Sequence, residues 1–146
     1  MTRSTLARLF DCVTIPALRR RTVSLWPDRE AFRQFDYADN RWISLTWKAL
    51  LRWRHAFYAS GLKPGDRAAM LLTNSIEAVI FDQAALAAGL IPVPLHAVDT
   101  PGSSAYILHD SGARILVTSS RARWNALHAA AGETLPMLEQ VVLLNE

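Results

Sequence analysis

Apolar runs recur along the second half of the chain at nearly constant intervals. They begin near residues 68, 91, 115 and 141, so that successive runs start 23 to 26 residues apart. Each run is apolar throughout rather than alternating, which is typical of strands covered on both faces of a sheet. A strand–helix period of this length predicts repeated βαβ units with parallel strands and right-handed crossovers. The fold class is therefore expected to be α/β, with a largely parallel sheet.

The clearest of these units lies between residues 61 and 95. Gly61 and Gly65 mark a turn before an apolar strand at residues 68–72. A second strand is expected at residues 91–95. Pro92 and Pro94 predict that this strand lies at an edge of the sheet, because proline cannot donate to a central ladder.

The helix between these strands is predicted from its cap and its apolar face. Asn74 is expected to be the N-cap, with Glu77 three residues later as in a capping box. Gly89 is expected to close the helix. The apolar face consists of residues at helical spacing, namely Ile76, Val79, Ile80, Ala84, Ala87 and Ala88.

Two further helices and a last strand follow the same pattern. The helix ends are marked by cap residues: Thr100 with Pro101 and then Gly112 for the first helix, and Ser119 or Ser120 and then Gly132 for the second. Trp124 and Leu127 are expected to face inward from the second helix. The last strand is predicted at residues 141–144.

The N-terminal part of the chain is predicted to hold helices and one β-hairpin. A short helix is expected at residues 4–12, and a second from Pro16 into the arginine run. Strands at residues 31–37 and 41–45, joined by a turn, predict the hairpin. Thr46 is expected to cap a helix that ends near Ser60.

These elements divide the chain into two parts. Residues 1–25 are expected to form an N-terminal helical segment, and residues 26–146 a single, incomplete α/β domain. The length of 146 residues is sufficient for one domain with a real core. The sequence is 51% hydrophobic and 20% charged, as in ordinary globular proteins, which argues against disorder.

The net charge of +3 is mild, and Arg19, Arg20 and Arg21 form the only basic run. We interpret this run as a solvated surface, with an anionic membrane surface or nucleic acid as the alternatives. Basic and aromatic residues do not interleave as they do on base-stacking surfaces, so no nucleic-acid partner is expected.

Cys12 is the single cysteine, so no disulfide forms within the chain, and a reducing compartment such as the cytoplasm is expected. Asp11 and Pro16 disfavour a mitochondrial presequence. The longest stretch without a charged residue, residues 83–98, is too short to span a bilayer. The basic, amphipathic N-terminal segment keeps peripheral contact with the inner face of the membrane open as an alternative to docking on the body.

No residue emerges from the sequence as a catalytic, cofactor-binding or metal-binding residue. The glycine spacing at residues 61–65 and 101–104 does not fit a phosphate-binding loop, and neither a dinucleotide fingerprint nor a nucleophile elbow occurs. The histidines have no metal-ligand spacing: His55, His96, His109 and His128. His96 follows a strand end, where α/β sheets bind ligands, but a solvent-facing loop residue is the favoured interpretation. Asp82 is interpreted as a solvated or capping-pair residue within the helix.

Several stretches resemble the AMP-forming acyl-CoA synthetases of the adenylate-forming superfamily. They are GLKPGDRAAMLLTNS at 61–75, EAVIFDQAALAAGLIPVPLHAVDT at 77–100, AYILHDSGARILVTSS at 105–120 and ISLTWKALLRWRHAFYAS at 43–60. The segment FDQAALAAGLIPVPL is most similar to the long-chain fatty acid branch. The resemblance covers roughly two thirds of the chain and consists of scaffold motifs rather than catalytic ones.

The resemblance implies an enzyme that activates a fatty acid with ATP and Mg²⁺ as an acyl-adenylate and transfers it to coenzyme A. The family's phosphate loop, adenine strand, ribose-binding Asp and catalytic Lys have no counterpart in this sequence. No catalytic or cofactor-binding residue can therefore be carried over. We expect the chain to be the N-terminal part of such a ligase and to be inactive alone.

The partners implied are the downstream part of the synthetase and its fatty acid substrate. The alternative is a stand-alone, non-catalytic α/β module that binds a ligand or a partner. An incomplete sheet would leave an edge open, through which self-association could occur.

Overall fold

The computed structural model describes residues 11–50, 55–57, 59–132 and 134–145. Within these ranges the elements follow in this order: α1 (Ile15–Leu25), β1 (Glu30–Asp36), β2 (Arg41–Thr46), a 3₁₀ turn (Trp47–Leu50), β3 (Arg67–Leu71), α2 (Ile76–Ala87), β4 (Ile91–Pro94), α3 (Pro101–Ser111), β5 (Ile115–Thr118), α4 (Arg121–Ala131) and β6 (Gln140–Leu143). The expected α/β class is confirmed, with strands β3 to β6 in one parallel sheet.

The four strands of the parallel sheet lie in the order β4-β3-β5-β6. Ala68 of β3 lies opposite Pro92 on one side and Ile115 on the other. The chain moves outward from β3 to β4, then returns across β3 to β5 and continues to β6. This reversal of direction places a topological switch point between β3 and β5.

The two faces of the sheet are covered by different helices. On one face, Phe81 and Ala84 of α2 pack with Ala68, Val117 and Phe57. On the other, Leu108 of α3 and Leu127 of α4 pack with Leu71 and Leu116. Because the direction of travel and the covered face both reverse, the three crossovers share one hand, as expected for right-handed βαβ units. The whole of β5 is buried, which explains its uninterrupted apolar run.

The hairpin packs on α2 rather than joining the sheet. β1 and β2 pair antiparallel, with Phe35 opposite Trp42. Phe32 and Trp47 pack on Ile76 and Ile80 at the start of α2. The predicted hairpin is thus confirmed, and it forms a second layer over one helix.

The two edge strands of the parallel sheet, β4 and β6, differ chemically. Ile91 and Leu95 donate their backbone N–H groups to the carbonyls of Asp66 and Met70 at 2.9 and 2.8 Å. Since successive residues of a strand point their backbone groups to opposite sides, Pro92 and Pro94 occupy the outward positions of β4, where they carry no N–H. At the opposite edge, β6 pairs only with β5 among the described residues.

Most helix ends agree with the sequence prediction. Thr100 and Ser120 accept hydrogen bonds from the third residue after them as N-caps, and Gly112 closes α3 in the left-handed region. Gly89 follows α2 with a φ of 77°. The last strand begins one residue earlier than expected, at Gln140.

Four predictions require correction or fall outside the described residues. The N-cap of α2 is Ser75, not Asn74, and its Oγ accepts from the N–H of Ala78 at 3.2 Å. Thr46 ends β2 opposite Glu30 and is followed directly by the 3₁₀ turn Trp47–Leu50, and residues 51–54 of the helix predicted there lie outside the described residues. Arg19 is buried, so the arginine run is not wholly a solvated surface. Nearly all of the helix predicted at residues 4–12 lies outside the described residues, and residues 11 and 12 are not helical.

Candidate functional site

A cavity of about 670 Å³ opens where the parallel strands end. Its lining combines the loop after β3, the loop after β5, the end of β6 and the hairpin: residues 34–38, Ile43, Leu72, Thr73, Ser75, Glu77, Ser119, Leu144 and Asn145. In open α/β sheets, ligands bind at the carboxyl ends of the strands beside the switch point. The loops after β3 and β5 flank that point, so this cavity is the candidate functional site.

The hairpin is held over the cavity by a hydrogen bond to α2. The side-chain Oε1 of Gln34 accepts from the backbone N–H of Ile76 at 2.7 Å. This N–H is among the first of α2, which have no partner within the helix. Ser75 satisfies a second one. One side chain of β1 thereby fixes both the start of the helix and one wall of the cavity.

Aromatic residues form the outer part of that wall. The rings of Phe35 and Tyr37 meet edge to face with centroids 5.1 Å apart, and Phe35 meets Trp42 at 5.4 Å. Tyr37 is 89% exposed, so its ring is available to a ligand or to another part of a protein.

The charges of the cavity are acidic. Asp36 and Glu77 lie in the lining, which contains no Lys, Arg or His. Asp36 accepts from the backbone N–H of Ala38 at 3.0 Å, and Glu77 lies in the first turn of α2, where a carboxylate is favourable. The residues described here therefore do not fit a triphosphate, which requires cationic or dense N–H donors.

The opposite, amino edge of the sheet carries a network of charges. Arg114 is ion-paired with Asp66 and forms a bidentate pair with Glu139 at 2.8 and 2.7 Å. The pKa of Glu139 is lowered by its hydrogen bonds from Arg114. The pKa of Asp66 is lowered, first by the backbone N–H of Lys63 and then by Arg114. In turn, these partners raise the pKa of Arg114.

Arg67 adds a second clamp at the same edge. Its Nε donates to the carbonyl of Ser111 at 2.7 Å, and its Nη2 to that of Gly112 at 3.2 Å. These carbonyls lie at the C-terminal end of α3, where no further helical N–H group can donate to them. The guanidinium of Arg67 supplies the missing donors. Both groups of contacts are structural, since they tie strands and helix ends together.

The structure places the loops considered from the sequence at different edges. The glycine loop at residues 61–65 precedes β3 and lies at the amino edge, away from the cavity, with the N–H of Gly65 donating to Gly89 at 2.8 Å. Residues 101–104 start α3 at the carboxyl edge. Pro101 and Ser104 line a smaller cavity there of about 150 Å³, together with Asp99 and Arg123.

The histidines are not brought together by the fold. His55, His96 and His109 are exposed, as is His128, whose ring lies 4.9 Å from that of Trp124. His96 does follow β4 at the carboxyl edge, but it is absent from the lining of both cavities there. Asp82 accepts from the side chain of Gln83 at 3.0 Å.

Among the residues that the structure describes, no three His, Cys, Asp or Glu side chains come close enough to hold a metal ion. Nor is any helix of the described ranges both long enough and apolar enough to cross a membrane.

The large cavity was not predicted from the sequence. Its residues come from five separate places along the chain, and none of them forms a recognisable spacing. The one available signal was positional: Thr73 and Ser119 are polar residues directly after buried apolar runs, where the ends of parallel strands meet.

Comparison with known proteins gives relatives that are named as ligases and as a peptide synthetase. A long-chain-fatty-acid–AMP ligase, FadD26 of Mycobacterium tuberculosis, is 32% identical over 90% of this chain and 25% of its own length. An oxalate–CoA ligase of Arabidopsis thaliana is 30% identical over 83% of this chain and 24% of its own. Phosphinothricin tripeptide synthetase PhsB of Streptomyces viridochromogenes is 33% identical over 89% of this chain and 11% of its own. The chain thus spans a quarter or less of these relatives.

Solved structures share the fold. The N-terminal domain of FACL13 from Mycobacterium tuberculosis has a TM-score of 0.75 at 21% identity, over 88% of this chain and 33% of that one. A long-chain-fatty-acid CoA ligase from Rhodopseudomonas palustris has a TM-score of 0.76 at 23% identity, over 94% of this chain and 34% of that one. The fold is that of the N-terminal domain of adenylate-forming enzymes.

A family model provides the assignment. The model described as AMP-binding enzyme matches residues 20–145, which include every strand and helix described above except the first turn of α1. The resemblance noted in the sequence is thereby confirmed: this chain belongs to the AMP-binding enzyme family.

Proposed function

We propose that this chain serves as the N-terminal part of an ATP-dependent, AMP-forming ligase that activates a carboxylic acid and transfers it to coenzyme A. The observation that carries this proposal is the family match over residues 20–145. The relatives named as acid–AMP and acid–CoA ligases support the same reaction class. The reaction would proceed through an acyl-adenylate with release of pyrophosphate.

A fatty acid is the substrate that we propose. FadD26 is named as a ligase for long-chain fatty acids, and its similarity extends over 145 aligned residues. The oxalate ligase and the peptide synthetase show that related chains occur in enzymes with other acids. The chain length of the acid is therefore left open, and the proposal is limited to the fatty acid class.

The residues of this chain contribute architecture rather than chemistry in this proposal. ATP, Mg²⁺ and coenzyme A would supply the activating and accepting groups, and the lining of the large cavity offers no cation to a triphosphate. We propose that the large cavity beside the switch point between β3 and β5 receives the uncharged part of the acid or of its adenylate. Its aromatic wall and its lack of cations suit a group that carries no phosphate.

Two further expectations remain proposals. We propose that residues 1–25 act as a segment distinct from an α/β domain at 26–146, with α1 in contact with α2 and with the turn Trp47–Leu50. We also propose a cytoplasmic location, which the single cysteine supports.

A different function is favoured by one observation, namely the open cavity itself. A stand-alone module could bind a neutral ligand at the switch point without any catalysis. Catalytic activity distinguishes the two functions, because the module would bind an acid without consuming ATP.

The test begins with the native protein, captured from its source cells with an antibody to this segment. Its intact mass is measured, and ATP–pyrophosphate exchange is followed with a series of fatty acids and with a small acid such as oxalate. We expect a species several times heavier than the 16.3 kDa of this chain, with exchange that depends on fatty acid.

Two results would overturn the proposal. A native species of 16.3 kDa without exchange activity, which nevertheless binds a fatty acid, would establish the module instead. Exchange that occurs with oxalate but with no fatty acid would retain the ligase and reject the substrate class.

A further inference from the structure

Strand β6 has the composition of an internal strand but lies at an edge of the sheet. The run at residues 141–144 is apolar throughout, as in parallel strands that are covered on both faces. Strand β5, which has such a run, is entirely buried. In β6, by contrast, Val142 is 36% exposed, and Val141 and Leu143 are half-buried. The sequence of β6 therefore suits a position that is covered more completely than the one it has here.

The backbone of β6 has hydrogen-bonding groups on its outer side. Gln140 and Leu144 donate their N–H groups toward β5, to carbonyl oxygens at 3.2 and 3.1 Å. Because neighbouring residues of a strand point their backbone groups to opposite sides, Val141 and Leu143 direct theirs away from β5. Among the residues that the structure describes, no strand pairs with this outer side. Two N–H and two C=O groups are thus available to a further strand.

The edge at β4 differs from the edge at β6 in its sequence. Both strands have four residues, so length does not distinguish them. Pro92 and Pro94 remove the outward N–H groups of β4, which is one of the ways in which natural edge strands avoid pairing. β6 contains neither a proline nor a charged residue, and its register with β5 runs without a shift. β4 is therefore built as a permanent edge, and β6 is not.

The larger part of a related domain has no counterpart in this chain, which covers 33% of the N-terminal domain of FACL13. We propose that the outer side of β6 receives a strand from the part of the ligase that lies outside this chain, so that β6 is an internal strand of the complete domain. This inference rests on the proposed function, since it requires the chain to belong to a larger enzyme.

A second copy of the chain is the competing occupant of this edge. A strand in the same polypeptide is held near β6 at an effective concentration on the order of millimolar, whereas a separate copy would have to reach that concentration in solution. The strand from the same enzyme therefore occupies the edge before a second copy can.

The experiment compares hydrogen exchange in the native protein with exchange in the isolated 146-residue chain. The native protein is captured with an antibody to this segment, its intact mass is measured, and exchange is followed by mass spectrometry at single amides. We expect the amides of Val141 and Leu143 to exchange about a hundredfold more slowly in the native protein than in the isolated chain. The amides of Gln140 and Leu144, which are bonded toward β5, are the matched control and should be protected in both.

Two variants at one position test the outward N–H group itself. Leu143→Pro removes this donor and leaves the N–H groups that face β5, whereas Leu143→Ala shortens the same side chain and keeps the donor. In the native protein, Leu143→Pro should make the amide of Val141 exchange about tenfold faster, because a hydrogen bond of the added strand is lost. Leu143→Ala should change this rate by less than about twofold. Circular dichroism of the isolated chain should show both variants folded.

The possible results separate this inference from the proposed function. A native species heavier than 16.3 kDa that catalyses ATP–pyrophosphate exchange, but whose Val141 and Leu143 amides exchange as fast as in the isolated chain, would overturn the inference and retain the ligase. A native species of 16.3 kDa would overturn both, because no part of the enzyme would remain to supply the strand. Equal protection of the two amides in the isolated chain, lost on dilution, would assign the edge to a second copy.

Discussion

The amino edge of the parallel sheet, where its strands begin, and the carboxyl edge, where they end, have different chemistry. At the amino edge, Arg67 and Arg114 bind helix ends and carboxylates that lie 25 to 48 residues away in sequence. At the carboxyl edge, loops and the hairpin leave a cavity open, and the one hydrogen bond of Arg123 to the carbonyl of Ala97 is long, at 3.4 Å. One edge is tied together and the other is left free for a ligand. This contrast teaches that strong polar contacts in an α/β domain can mark its structural edge rather than its site.

The largest effect is expected from removing the clamp at the amino edge. Arg67→Ala leaves the carbonyls of Ser111 and Gly112 without their donors and should lower the free energy of unfolding by about 2 kcal/mol. The measurement is urea unfolding followed by circular dichroism. Arg123→Ala at the carboxyl edge is the matched control and should cost about 0.5 kcal/mol. Equal losses would show that the edges do not differ.

Substitution of Gly112, which contacts Arg67, is expected to lower the unfolding free energy by a smaller amount. Its φ is +61°, and a Cβ there would lie 2.8 Å from Nη2 of Arg67. Gly112→Ala should lower the unfolding free energy by about 1 kcal/mol through backbone strain and displacement of the arginine. Gly102→Ala in the same helix meets nothing within 4 Å and should be neutral or stabilising. If Gly112→Ala left the unfolding free energy unchanged, this would contradict a stabilising role for Arg67 at the end of α3.

The carboxylates of the amino edge predict a dependence of stability on pH. The folded pKa values of Asp66 and Glu139 are lowered, so their contribution is present above the unfolded values near about 4 and is lost as pH falls through the folded ones. The unfolding free energy should therefore fall between about pH 5 and pH 3.

Arg114→Gln tests the origin of that slope. The variant should lose part of it, because Glu139 then loses its charged partner. Some slope should persist, since the pKa of Glu30 in the hairpin is also lowered, first by Ser44 and then by Arg33. An unchanged slope in the variant would place its origin outside the amino-edge network.

The smallest effect on stability is expected at the carboxyl edge. Thr73 is exposed at the mouth of the cavity, so Thr73→Trp should change the unfolding free energy by no more than about 0.5 kcal/mol. In the fatty acid ligase that we propose, the same change should raise KM for the fatty acid roughly tenfold by filling the cavity. Val98→Trp, also exposed after a strand at this edge, serves as the control. An unchanged KM would show that the acid does not bind in this cavity.

The sheet was predictable because its strands are buried on both faces. Runs such as residues 115–118 are apolar without interruption, and their intervals fit strand–helix units. The caps Thr100, Gly112 and Ser120 depend on local backbone geometry, so the sequence locates them well. The family resemblance rested on these same scaffold segments.

The errors arose where tertiary contacts choose between local alternatives. Asn74 and Ser75 are both good N-caps, and Ser75 is chosen in a helix whose first N–H is taken by Gln34, 42 residues away. The cavity was invisible for the same reason, because its walls meet only after the hairpin has docked on α2.

The prolines of β4 limit how many copies of this chain can join through their sheets. Strand addition requires donors and acceptors along an edge, and the outer side of β4 has no N–H at Pro92 or Pro94. Within the described part of the parallel sheet, β6 is the edge strand without prolines. Addition of a strand to this sheet is therefore favoured at β6 and disfavoured at β4.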